Sequence, residues 1–267
     1  MFISEGTHFT GHTSIDSLVI FYSQSKALDE EEVEDHFSRL ENHIEKLQKK
    51  RGSGPATEFF LSKLFYKTHK KFLRNYKAVV AYDRLILSGD YNCISGTALY
   101  AVVFDALEIP YTIYESDDHV FLMVQAGEER YLIESTDPLN GFIADETIIA
   151  RHVENISNGL VSVFPTSVGS SEGLAQGKPG VQELPGLAAL AGLQYYNEAV
   201  IHYREGKLSE AYRLALRGYQ FYPSKRLKLC LDTILDAIVT CADVSEETKR
   251  RLYKQYITFV NKSSSAS

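Results

Sequence analysis

Val33, Phe37, Leu40, Ile44 and Leu47 fall at steps of three or four. That spacing lines them up on one stripe of a helix over residues 28–51. Asp29, Glu30, Glu31, Glu32, Glu34 and Asp35 crowd its start, and Lys46, Lys49, Lys50 and Arg51 its end. Both ends suit the helix macrodipole, and Gly52-Ser53-Gly54-Pro55 stops the helix. Phe60, Leu61, Leu64, Phe65, Phe72 and Leu73 repeat the pattern and predict a second helix over 57–76. Its other side carries Lys63, Lys67, Lys70, Lys71, Arg74 and Lys77, which read as a solvated face beside the acidic first helix or as a surface for an anionic partner. From Cys93 to Leu107 the chain is apolar on almost every side: Ile94, Ala98, Leu99, Val102, Val103, Phe104, Ala106 and Leu107. A helix of that kind belongs in the middle of a domain. Ile109-Pro110 ends it. Strand-like runs follow at 111–114, 119–124 and 131–134, with Asp117-Asp118 and Gly127-Glu128-Glu129 as turns. A helix followed by an antiparallel meander is an α+β plan.

Residues 166–185 break the pattern with Gly, Ser and Pro, as in Gly177-Lys178-Pro179-Gly180 and Leu184-Pro185. Beyond them the periodicity is helical to the end. Tyr195, Asn197, Ala199, Tyr203, Gly206, Ala211, Ala215, Gly218 and Pro223 stand in the order of one tetratricopeptide-like unit, two helices that approach through small residues. A lone unit cannot bury its own face, so helices near 225–241 and 245–261 are expected to pack on it. Ser245 is the expected N-cap of the last. The expected division is an N-terminal helical segment (1–55), a mixed domain (56–165), a linker or long loop (166–190), a tetratricopeptide-like region (191–262) and a disordered tail (263–267).

Composition narrows the function. The 267 residues are 44% hydrophobic and 12% aromatic, enough for a sizeable core. A net charge of −7 gives no general attraction to nucleic acid. No run approaches 18 apolar residues, so no membrane span is expected. Met1-Phe2-Ile3-Ser4-Glu5-Gly6 shows no secretory leader, which points to the cytoplasm unless the chain has been trimmed. Three cysteines are too few for a disulfide framework. With no C-x-x-C or H-E-x-x-H, neither metal nor cofactor is expected.

Cys93, His119 and Glu134 carry the chemistry. A thiol, an imidazole and a carboxylate are the parts of a nucleophile, its base and the group that orients the base. Cys93 falls in the first turn of the buried helix, where backbone N–H groups favour negative charge. Its own N–H is a candidate oxyanion donor. Asn92 is the candidate N-cap. Tyr91, Asn92 and Gly96 would form the pocket around the sulfur, with Tyr76 and Tyr82 as further candidate oxyanion donors. Asp137, before Pro138, is an alternative to Glu134. Each residue also has an ordinary reading: a small buried thiol, a turn histidine solvated by Asp117 and Asp118, a strand end. Cys230 and Cys241 read as core thiols, and His69 and His152 as surface residues. His202 reads as packed in the helical hairpin. His8 and His12 could hold a metal only if helical, which Gly6 and Gly11 oppose.

The stretch Gly89-Asp90-Tyr91-Asn92-Cys93, the buried helix and Ile109-Pro110, followed by His119 on a strand and Glu134-Ser135-Thr136, resembles the transglutaminase-like superfamily. The resemblance covers residues 56–140. It implies a papain-like fold with Cys93 as nucleophile, His119 as base and Glu134 as orienting acid. It extends to bacterial members that append tetratricopeptide-like helices. True transglutaminases shield the acyl-enzyme with a tryptophan. This chain has none, so the resemblance implies amide hydrolysis on a peptide or protein substrate ahead of cross-linking. The alternative is an inactive fold that binds a partner protein through its C-terminal helices. Arylamine-type acyl transfer, which also uses Cys-His-Asp, is a third reading.

Overall fold

The computed structural model describes residues 28–116, 119–158 and 180–264. The chain is mixed α+β and divides into two compact units between Leu190 and Ala191.

In the first unit, α1 (Glu30–Arg51) begins at a capping box. Glu32 N donates to the Asp29 carboxylate, and Asp29 N donates to the Glu32 carboxylate. Its stripe buries Leu40, Ile44 and Leu47, together with His36 and His43. Both imidazoles meet Phe72 edge-on, at 5.8 and 5.4 Å between ring centroids. Phe72 ends α2 (Glu58–Phe72), which Thr57 caps. This helix stops four residues short of the expected Tyr76, because Asn75–Tyr76 leaves it to form β1. β1 pairs in parallel with β2 (Asp90–Tyr91), and the short α3 (Asp83–Ser88) lies between them in sequence. α4 (Cys93–Ala106) is buried without interruption from Cys93 to Phe104, as its all-round apolarity requires.

The main sheet runs β6 (Phe142–Ile143), β5 (Glu129–Ile133), β4 (Val120–Ala126), β3 (Tyr111–Glu115), β7 (Gln182–Glu183), every pair antiparallel. Glu115 faces Val120 across β3–β4, and Leu122 faces Ile133 across β4–β5. The start of β4 and the end of β5 therefore meet at one end of the sheet. Both faces are covered. Phe121 and Leu132 pack on Ile149 of α5 (Glu146–Asn158), flanked by Met123, Val153 and Ile156. Strand alternation turns Val120, Leu122 and Val124 to the opposite side, where α4 packs against β4. Covering both faces explains why Phe121 and Leu122, which point opposite ways, are both buried; each such burial contributes roughly 1.5–3 kcal/mol. Several elements go beyond expectation, among them the short α3 and the two-residue strands β1, β2 and β6. α5 had no assignment, and β7 lies within the stretch read as linker, where Leu184 N donates to Ile113 O.

The second unit is helical. The boundary falls within α6 (Leu187–Arg204), which is followed by α7 (Leu208–Phe221), α8 (Lys225–Thr240) and α9 (Glu246–Ser264). α6 and α7 cross where Gly192 and Gly218 bring their backbones together. Pro223 separates α7 from α8, which Ser224 caps. Thr248 N donates to Ser245 Oγ at the start of α9, and Tyr212 Oη donates to Leu252 O, tying α7 to α9. Cys230 is buried in α8, whereas Cys241 follows it partly exposed. His202, in α6, is part-exposed beside Glu205 at 3.7 Å. Among the described residues no helix is long and apolar enough to cross a membrane. The expected tail (263–267) lies largely outside the described residues, as do His8 and His12.

Candidate active site

Cys93 is the first residue of α4, and the turn before it is fixed from several sides. Asn92 is the N-cap. Ser95 N donates to Asn92 Oδ1 at 2.9 Å, and Asn92 N donates to Ser95 Oγ at 3.0 Å. Asp90 accepts from Lys77 Nζ at 2.7 Å and from Asn75 Nδ2 at 2.9 Å. Those two bonds hold its carboxyl down at about 2.

His119 closes the β3–β4 hairpin. Its N–H donates to Ser116 Oγ at 3.1 Å, and Ser116 N donates to its carbonyl at 2.9 Å. The two turn aspartates between them lie outside the described residues.

Glu134 follows β5 directly. Its N–H donates to Gly141 O at 2.7 Å, and Gly141 N donates to Asp137 O at 2.9 Å. This loop brings the carboxylate back over the sheet end where β4 begins.

The three side chains converge. His119 Nε2 lies 2.6 Å from Glu134 Oε2, with the histidine 19% and the glutamate 5% exposed. An ionised carboxylate only accepts, so Nε2 carries the hydrogen. That leaves Nδ1 for Cys93, with which the ring also hydrogen-bonds. Burial alone would push His119 down; the hydrogen bonds and negative charges of Cys93 and Glu134 outweigh it and push it up to about 10. Burial likewise works against the Glu134 anion, but His119, His152 and Thr136 hold its carboxyl far below the usual range.

Glu134 Oε1 accepts from Thr136 N at 2.9 Å and Thr136 Oγ1 at 2.6 Å. Asp137 makes no hydrogen bond to His119. Its carboxylate accepts from Leu139 N and Asn140 N and shapes the loop.

The remaining candidates surround this centre. Gly96 is buried one turn along α4. A β-carbon there would sit 2.7 Å from Ser135 Oγ, so glycine lets the helix start lie against the acid-bearing loop. Tyr91 is buried, with its hydroxyl 3.2 Å from His69 Nε2. Burial, reinforced by the charges of Glu134 and Asp137, pushes that hydroxyl up to about 12. Asn92's side chain is taken up by the cap. Tyr76 is half-exposed and meets the Tyr91 ring edge-on at 5.8 Å, while Tyr82 is buried.

Two histidines are not where the sequence reading put them. His69 is 6% exposed, and its Nε2 lies 3.1 Å from Ser135 O. With Tyr91 on the same nitrogen, it bridges the turn before Cys93 to the turn after Glu134. His152, on α5, is part-buried, with Nε2 3.3 Å from Glu134 Oε2. Both sit on the buried side of their helices, His69 in step with Phe65 and Phe72 and His152 in step with Ile149 and Ile156, and only the fold supplies their polar partners.

Among the described residues, no group of three or more His, Cys, Asp and Glu side chains is placed to hold a metal. Compared with family models, with curated proteins and with solved structures, the chain finds no match in any of the three.

Proposed function

We propose that this chain is a cysteine-dependent enzyme on a transglutaminase-like, papain-like plan that hydrolyses an amide bond in a peptide or protein. The observation that carries the reading is the 2.6 Å contact from His119 Nε2 to Glu134 Oε2, with the same ring hydrogen-bonded to Cys93. Cys93 Sγ, its proton already held on His119, attacks the amide carbonyl carbon as a thiolate. The C–N bond breaks, and His119 gives the proton to the leaving amine. Water, deprotonated by His119, then cleaves the thioester and restores the thiolate, leaving a carboxylic acid. Glu134 holds the ring tautomer and the imidazolium formed in each half. The α4 N-terminus favours negative charge beside the sulfur. Transfer to an amine instead of water uses the same groups.

The test is the alkylation rate of each cysteine against pH, read by peptide mass. Cys93 is only 7% exposed, and Cys241 is more open. Cys93 nevertheless labels faster at pH near 6, and His119→Ala or Glu134→Gln removes the advantage. A Cys93 slower than Cys241 across the range defeats the proposal.

A second reading rests on the helical unit. A groove of about 910 Å³ lies between α7 and α9, lined by Tyr212, Arg213, Leu216, Arg251, Lys254 and Phe259 among others. A tetratricopeptide-like pair would present such a groove to a partner protein. On that reading Cys93→Ala leaves partner capture intact, and Arg251→Glu abolishes it.

A further inference from the structure

We infer that His152 is a positioning residue for this triad, holding Glu134 in the orientation that meets His119. The inference rests on the Cys93–His119–Glu134 reading above.

An ionised carboxylate has about four acceptor sites. The structure fills them from three places. Thr136 N and Thr136 Oγ1 take Oε1, at 2.9 and 2.6 Å. His119 and His152 take Oε2, at 2.6 and 3.3 Å. Since the oxygen can only accept, His152 Nε2 carries a hydrogen as His119 Nε2 does.

The two Thr136 bonds anchor Oε1 but leave the carboxylate plane free to turn about that anchor. The second contact on Oε2 stops it. His152 is placed to provide that contact without competing for Cys93. It comes from α5, which packs on the face of the sheet opposite α4. Its ring is braced edge-on by Phe121 of β4, 6.5 Å between centroids. His119 and His152 thus approach the same oxygen from separate elements, and only His119 has Cys93 as its other partner. Without His152, a carboxylate only 5% exposed keeps an unfilled acceptor site, and its turn toward any stray donor weakens the bond to His119.

The experiment compares wild type, His152→Phe and His152→Gln in two readouts. One is the rate of Cys93 alkylation near pH 6. The other is the NMR signal of the His119 ring Nε2–H in its bond to Glu134. Phe keeps a ring against Phe121 but removes the donor; Gln restores an N–H. The expected result is a roughly tenfold slower alkylation and a shifted or lost ring signal in His152→Phe, with His152→Gln close to wild type. His152→Ala replaces the Phe variant if that variant does not fold.

A His152→Phe protein indistinguishable from wild type in the ring signal overturns the inference. So does an equal loss in the Phe and Gln variants, which would assign the effect to packing. If wild-type Cys93 is unreactive, the nucleophile reading fails. The ring signal still decides separately whether His152 holds Glu134.

Discussion

A β-carbon on Gly141 would sit 2.1 Å from the carbonyl oxygen of Glu134 and 2.4 Å from that of Asp137. Backbone, not a pliable side chain, would have to yield, and that backbone carries the acid. Gly141→Ala is expected to cost about 1–3 kcal/mol and to slow Cys93 labelling, measured by thermal melting and alkylation on one preparation. A variant as stable and as reactive as wild type would show that the loop absorbs the shift. At this scale the candidate triad was legible because each member interrupts an apolar pattern at the edge of an element. The choice between Glu134 and Asp137 was not. It depends on which carboxylate the turn aims at the ring, and the turn is set by hydrogen bonds from Leu139 and Asn140 to Asp137. His69 was unreadable for a related reason: its carbonyl partner lies 66 residues away.

α4 is the element on which the site depends, and its first turn rests on a reciprocal pair of bonds between Asn92 and Ser95. Asn92→Ala leaves Ser95 N without its acceptor and is expected to cost about 1 kcal/mol, read as a lower urea midpoint. An unchanged midpoint would mean that burial alone fixes the helix start. The long elements were legible from periodicity: α1, α4 and the meander β3–β5. β1, β2, β6 and β7 have two residues each, too few for a period to register; they exist because a neighbouring strand accepts them. α5 is a different case. Asp145 accepts from Thr147 N and Ile148 N ahead of it, and Ile149, Val153 and Ile156 follow at helical steps. Its signals were in the chain. What they did not disclose was that His152, in step with Ile149 and Ile156 on the sheet-facing side, meets Glu134.

At the scale of the whole molecule, histidines set opposite responses to pH. Burial, reinforced by Arg39 for His36 and by Lys71 for His43, pushes both down to about 4. Each is neutral in the fold, and in the unfolded chain each takes a proton near 6.5. Their contribution is present above that value and lost as pH falls toward about 4. His119 runs the other way. Despite burial, its bonds to Cys93 and Glu134 raise it to about 10, so its contribution is complete below about 6.5 and lost as pH rises toward about 10. Melting temperatures across this range should fall on both flanks. Replacing His36 and His43 with Phe should flatten the acid flank, and His119→Gln the alkaline one. An acid flank that survives the double replacement would place its origin elsewhere.

Cys93 and Cys230 are both buried, yet folding acts on them in opposite senses. Burial in α8 pushes the Cys230 thiol up and keeps it silent, and unfolding would release it. Cys93 acquires its partner only when a hairpin turn 26 residues downstream (119 minus 93) swings back against a helix end, so on the proposed reading unfolding would quiet it. The ratio of label on these two sulfurs would then fall as the native population falls. The protein would carry its own internal gauge of folded fraction, readable in a cell extract without an added dye or tag.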